Sequence, residues 1–405
     1  MSRFLFVTLG YHPHPVGGAW RYAAELAERL AARHHDVTVV CGNPENNLPA
    51  REVREGVTLL RFPNERGHFF LNWRRENAAA RRLVESVEAA ASPPSLLGLH
   101  QAFLSPSIAA ARTPRVMIYQ GPWAEEYLFS RRTPSRSTVR RLFYHVIAAR
   151  LRAVERDALR RSRQIIVLSR YTERLLHGIH SESTPPVKVV PGGVNLRQFT
   201  PSPWRAEVRA RVGVPSWTRI LFVSPRRLDP RMGLDVLLRA YAKVASLPDS
   251  HTSQLWLTGD GPEARRLAAL IVELGLEKQA RLLGRLTDEH LVDVYRAADC
   301  AIIPSLELEG FGLATAEALA CGTPVLGSLA GATPELLGDL NPHLLFPPGS
   351  VDALARKIED ILQGRLSLPT RVQCRQYAEQ RFSWDATVHA FEELAGAFAA
   401  EGGSA

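Results

Sequence analysis

Residues 3–41 read RFLFVTLGYHPHPVGGAWRYAAELAERLAARHHDVTVVC. Residues 3–9 are a short apolar run, and a loop carrying Gly17-Gly18 follows it. From Trp20 to Arg33 the apolar residues Ala24, Leu26, Ala27, Leu30 and Ala31 recur at helical spacing, and residues 37–41 are again a short apolar run. Strand, Gly loop, helix and strand make one βαβ unit, whose crossover implies parallel strands.

Working outward, further strands are expected at 57–62, 96–100, 115–120, 164–168 and 187–190, with helical segments between several of them. Pro191-Gly192-Gly193, continuing through Thr200-Pro201-Ser202-Pro203, breaks the pattern and reads as a linker. The alternation then resumes. Strands are expected at 220–224, 254–258, 280–283, 300–303 and 324–326, and helices at 233–245, 262–274, 288–297, 313–320, 350–362 and 375–400. The expected fold is α/β: two Rossmann-like, doubly wound parallel-sheet domains facing a cleft. The expected division is 1–200, 201–380, and a C-terminal helix at 381–405 packing back on the first domain.

Composition narrows the class. The 405 residues are 45% hydrophobic and 22% charged, enough to bury two cores. No run of about 18 apolar residues exists to span a membrane, and the N-terminus is too short in apolar length for a signal peptide. The four cysteines (41, 300, 321, 374) show no paired or zinc-like spacing and read as buried thiols in a reducing cytoplasm. His12, His14, His34, His35 and His100 lack metal spacing and read as surface or loop residues. Trp73, Trp204, Trp217 and Trp384 read as packing. There is no Walker motif, no GxSxG and no DxD, so no metal site is expected.

Four loops could carry chemistry. In Glu309-Gly-Phe-Gly-Leu-Ala-Thr-Ala-Glu317 a Gly310/Gly312 loop precedes a helix starting at Leu313. N–H groups at such a start suit phosphate, Glu309 could accept from sugar hydroxyls, and Glu317, one turn further into the helix, could reach a ribose diol. Read alone, a capped helix with a solvated Glu fits as well. Ser224-Pro-Arg-Arg-Leu-Asp-Pro-Arg-Met-Gly233 crowds Arg226, Arg227 and Arg231 at a strand end, fitting either a pyrophosphate site or a solvated basic turn. Gly17-Gly18 is either a tight turn or a phosphate approach. Gln120-Gly-Pro-Trp123 ends a strand, where such sheets contact ligands. Gly259-Asp-Gly261 reads as a turn.

Together these residues resemble retaining glycosyltransferases of the GT-B fold, family 4 (glycosyl transferases group 1). Val190-Pro-Gly-Gly-Val-Asn195, Leu257-Thr-Gly-Asp-Gly-Pro262, Leu283-Gly-Arg-Leu286, Glu317-Ala-Leu-Ala-Cys-Gly-Thr-Pro-Val325 and Gly331-Ala-Thr-Pro-Glu335 add to it, in order along the chain. The resemblance implies a nucleotide-diphosphate-sugar bound mainly by the second domain, with the acceptor on the first. It implies that Glu309 holds donor sugar hydroxyls and that N–H groups around Phe311–Leu313 meet sugar and phosphate. Glu317 takes the ribose, Arg227 pairs with the pyrophosphate, and the backbone near Arg285 contacts the base. Gly18 lets its loop approach the phosphate. Gly17, Arg231, Gly259, Gly310 and Gly312 complete the expected donor set, and Gln120 joins Glu309 and Arg227 as a catalytic candidate. Two positions depart from the pattern: Met232 stands where Lys is usual and Gln120 where His is frequent.

The implied reaction is metal-independent transfer of a hexosyl group to the hydroxyl of a glycan, lipid-linked sugar or small molecule, with no cofactor beyond the nucleotide-sugar. A GT-B phosphorylase or epimerase, or a non-catalytic partner subunit, is the alternative. The charge is lopsided: residues 1–200 hold 29 basic and 16 acidic residues, net +13, and residues 201–405 hold 21 and 25, net −4. Much of the excess lies between Arg131 and Arg163, where Leu142, Phe143, Val146 and Ile147 interleave with arginine. A solvated helix is one reading and an anionic membrane surface the sharper one. Nucleic acid is not expected. The expected location is the cytoplasm, peripheral on the inner face of the cell membrane if the sharper reading holds.

Overall fold

The computed structural model describes residues 1–13, 17–43, 47–64, 69–129, 131, 138–180, 185–247 and 250–402. His14, Arg132 and Arg136 lie outside them. The chain divides into two units: Met1–Gly192 with Trp384–Ala405, and Gly193–Ser383. The first divide falls inside the Pro191-Gly192-Gly193 stretch.

Unit 1 holds β1 (Arg3–Thr8), α1 (Gly18–Ala32), β2 (Asp36–Asn43), β3 (Arg51–Arg54), β4 (Val57–Pro63), α2 (Phe69–Glu88), β5 (Leu96–Leu99), β6 (Arg115–Tyr119), α3 (Trp123–Phe129), α4 (Thr138–Arg160), β7 (Gln164–Val167), α5 (Arg170–Ile179) and β8 (Val187–Val189). Its sheet runs β3-β4-β2-β1-β5-β6-β7-β8, parallel except where β3 pairs antiparallel with β4. Leu5, Phe6, Val39, Leu97, Ile118 and Ile166 are inaccessible to solvent. Central strands covered on both faces carry continuous apolar runs, which is why the sequence showed them as blocks rather than alternations. The helix Trp384–Gly402 belongs to this unit: Phe391 meets the Phe6 ring at 6.0 Å, Trp384 meets Tyr22 at 5.2 Å, and Thr387 Oγ1 donates to the Pro191 carbonyl at 2.7 Å.

Unit 2 holds α6 (Arg205–Arg211), β9 (Ile220–Pro225), α7 (Leu234–Ala245), β10 (Ser253–Thr258), α8 (Ala264–Glu273), β11 (Ala280–Leu282), α9 (Asp288–Ala297), β12 (Cys300–Ile303), α10 (Leu313–Ala320), β13 (Val325–Ser328), α11 (Thr333–Leu337), β14 (Leu345–Phe346), α12 (Val351–Leu362) and α13 (Arg371–Arg381). Its all-parallel sheet runs β11-β10-β9-β12-β13-β14. Phe222, Leu237, Tyr241, Leu255, Ile302 and Leu354 fill its core. Arg375 is turned onto the carbonyls of Phe199, Ala320 and Leu196, and Arg371 onto those of Ala298 and Arg296. Burial holds the Arg371 guanidinium pKa down to about 10.

Several expectations need correction. The helix read over 375–400 is two helices, broken at Phe382, which buries its ring against Phe311 and Tyr377 instead of continuing the turn. Trp204 and Trp217, read as packing, are 66% and 48% exposed. His100, read as a surface or loop residue, follows β5 but is 2% exposed. The four cysteines are buried and unpaired.

Candidate active site

In unit 2 the expected donor loops leave the C-terminal strand ends and are stitched together by backbone hydrogen bonds. Arg226 N donates to Thr258 O at 2.9 Å, Gly259 N to Gly284 O at 2.8 Å, Leu306 N to Arg231 O at 2.8 Å and Ala332 N to Glu309 O at 2.8 Å. Gly259, at φ 136°, makes this possible: a Cβ there would lie 2.0 Å from the Arg226 carbonyl. Gly312, at φ 97°, is the left-handed residue from which α10 starts.

The cluster at the centre is Glu309. Its Oε2 takes hydrogen bonds from the buried Arg226 guanidinium and from Ser305 Oγ at 3.0 Å. Arg226 Nη2 also lies 2.9 Å from Ser305 Oγ and 2.7 Å from Met232 Sδ. Burial acts to raise the Glu309 carboxyl, but the charges of Arg226 and then Arg231, with the two hydrogen bonds, outweigh it and hold it below the ordinary carboxylate range. Arg226 Nε is buried, with no hydrogen-bond partner among the described residues.

The three arginines of the β9 loop therefore do different things. Arg226 turns inward. Arg231 donates through Nη1 to the Leu308 carbonyl at 2.8 Å. Arg227 is 56% exposed and sits 3.5 Å from Asp229. Sequence reasoning noted Arg226 only as part of a basic turn. Met232 is 6% exposed and packs on the Arg226 guanidinium.

Glu317 is buried in α10, its Oε2 accepting from Tyr295 Oη at 2.9 Å. Phe311 is buried against Phe382, with Gly310 and Leu313 flanking the α10 start. Arg285 is exposed on the loop after β11.

Gln120, Gly17 and Gly18 belong to unit 1. Gly17 precedes α1 in an extended conformation, and Gly18 is the first residue of that helix. Gln120 follows β6, with Nε2 3.4 Å from His100 Nδ1. Burial pushes the His100 pKa down to about 3, and its ring packs against Phe6 and Tyr22, so the imidazole next to Gln120 is neutral. The loop from Gln120 to Trp123 is held by a residue the sequence counted only as a charge: Glu155 of α4, 2% exposed, accepts from the Trp123 N–H at 2.6 Å. Its signal was position, since Glu155 falls on the stripe with Ala148, Leu151 and Ala158 that α4 buries.

Known proteins resemble the chain along its length. Residues 16–198 match the family profile described as Glycosyltransferase Family 4, and residues 209–381 match Glycosyl transferases group 1. A D-inositol 3-phosphate glycosyltransferase of Corynebacterium jeikeium is 34% identical over 57% of this chain and 56% of its own length. One from Saccharomonospora viridis is 36% identical over 51% of this chain and 49% of its own. The chain thus spans about half the length of these relatives. Among solved structures, sucrose-phosphate synthase of Thermosynechococcus elongatus superposes with TM-score 0.82 at 23% identity, over 99% of this chain and 100% of that one. Anabaena Alr3699/HepE, solved in complex with UDP, does so with TM-score 0.72 at 20% identity, over 98% and 100%. These similarities show the two-domain Rossmann-like fold.

Proposed function

The chain belongs to the group 1, family 4 glycosyltransferases, and from that premise we propose that it moves a hexosyl group from a nucleotide-diphosphate-sugar to an acceptor hydroxyl with retained anomeric configuration and without a metal. The observation that carries this is the buried Arg226–Glu309–Ser305 cluster at the strand ends before α10. A carboxylate held ionised can accept from sugar hydroxyls, and the unpartnered Arg226 Nε is a buried donor that gains about 1–3 kcal/mol from any oxygen ligand that satisfies it.

On this reading Arg227, exposed beside the cluster, and the N–H groups at the α10 start meet the diphosphate as it leaves. The acceptor hydroxyl attacks from the face the diphosphate vacates, and a diphosphate oxygen takes its proton. That assignment suits unit 1 as well: Gln120 can orient a hydroxyl by hydrogen bonding but cannot take up a proton at neutral pH, and burial makes His100 beside it too weak a base to do so there. Alr3699/HepE, solved with UDP and with UDP-glucose, makes a UDP-sugar the first donor to try. The relatives named for D-inositol 3-phosphate favour a polyol phosphate among small acceptors.

The test begins with a thermal-shift screen of UDP-, GDP- and ADP-sugars, in which one class should raise Tm. Transfer from that donor is then measured for Glu309→Ala and Arg227→Ala, each expected to lower kcat/KM by about 10²–10³-fold. Wild-type rates in both variants would remove the reading.

A further inference from the structure

Helix α4 has two apolar faces, and only one is covered. Ala148, Leu151, Ala158 and Leu159 point inward; Ala148 and Leu151 pack with Ala124, Trp123, Tyr127 and Leu128 of α3. On the opposite side Leu142, Phe143 and Val146 are 65%, 59% and 48% exposed. Large apolar side chains exposed singly are ordinary. Here three of the ten such residues described in the chain fall within five positions of one helix, while the others are scattered.

The same face is cationic. Leu142, Val146 and Arg150 follow one another at i, i+4 and i+8, so the apolar stripe runs straight into an exposed guanidinium. Arg160, exposed at the end of α4, returns to the Leu142 stripe, and Arg140 borders Phe143 one turn before it; Arg141 is exposed too but lies on the Ala148 side of the helix. The acids nearby are already engaged: Glu155 on the Trp123 N–H, Glu125 with Arg152 at 2.5 Å, and Asp157 with Arg161 at 2.7 Å. Arg131 stacks over the Tyr127 ring at 3.9 Å, extending the positive edge toward α3.

We infer that this outward face of α4 docks on an anionic lipid surface. Apolar side chains interleaved with arginine are the composition of a helix lying in the plane of a bilayer, with rings and branched chains among the acyl chains and guanidinium forks on the phosphates. A second copy of the chain fits less well, since a self-complementary contact would set one arginine-bearing face against another. The inward face of α4 carries Glu155, which holds the loop from Gln120 to Trp123, so the docking face and the acceptor-side loop share one helix. The inference concerns unit 1 alone and does not depend on the donor reading.

The test is flotation of the full chain, without donor, with vesicles of phosphatidylcholine alone or with about 30 mol% phosphatidylglycerol. Binding is expected only to the anionic vesicles, and it should fall by about tenfold between roughly 50 and 500 mM salt. The triple substitution Leu142→Ser, Phe143→Ser, Val146→Ser should abolish binding while Tm and donor affinity stay at wild-type values. Arg150→Glu with Arg160→Glu should do the same. Equal binding to both vesicle types, or unchanged binding by the triple variant, would overturn the inference. So would a concentration-dependent dimer, seen in sedimentation, that the triple substitution dissolves.

Discussion

Arginine is used in opposite ways at two places, one in each unit. In unit 2, Arg226, Arg371 and Arg375 are folded inward onto Glu309 and onto backbone carbonyls. On α4 of unit 1, Arg150 and Arg160 are presented outward beside bare apolar side chains. The contrast is between these two places rather than between whole units, since unit 1 also buries Arg21 and pairs the largely buried Arg61 with Glu52. A charge count by region cannot separate the two uses; only burial and partners do.

The largest test of this contrast is Arg226→Met. It strands the buried Glu309 carboxylate, and a loss of about 3–5 kcal/mol in urea unfolding at pH 7 is expected. An effect as small as that of a surface arginine would erase the distinction. A pH series sharpens it. Glu309 has a folded-state pKa below its unfolded value, so its contribution to stability is fully present above the unfolded value, near about 4.3, and disappears as pH falls through the lower folded value. Glu309→Gln should therefore be less stable than wild type at neutral pH, and the gap should close on acidification. A gap that is constant with pH would show the loss to be one of packing. The smallest effects are expected for Arg227→Met and Arg141→Ser. Both residues are exposed, and each change should stay within about 0.5 kcal/mol in the same unfolding assay. Arg227 is adjacent to Arg226 in sequence, so that pair alone tests whether orientation rather than neighbourhood sets the cost.

Most of the fold was legible because buried parallel strands appear as apolar blocks between helical patterns. Two strands were not. The β3 sequence Arg51-Glu-Val-Arg54 is an edge strand with polar side chains on both sides, and β14, Leu345–Phe346, is too short to show a pattern. At the candidate site, Glu309 and its Gly310–Gly312 loop stood out in the sequence. Its partner did not: consecutive side chains leave a strand end in different directions, so Arg226 and Arg227 cannot be told apart without the pairing of β9 on β12. Glu155 was hidden for a related reason. Its partner, the Trp123 N–H, lies 32 residues away, and an acid within an arginine-rich helix reads as a counter-charge until the contact is seen.

The helix Trp384–Gly402 places the last part of unit 1 after all of unit 2 in the order of synthesis. On the ribosome, Phe6 and Tyr22 wait without Phe391 and Trp384 until the rest of unit 1 and the whole of Gly193–Ser383 have been made, so the unit that begins first is completed last. A nascent chain stalled before Trp384 would present that face of unit 1 uncovered, a surface for chaperones to hold.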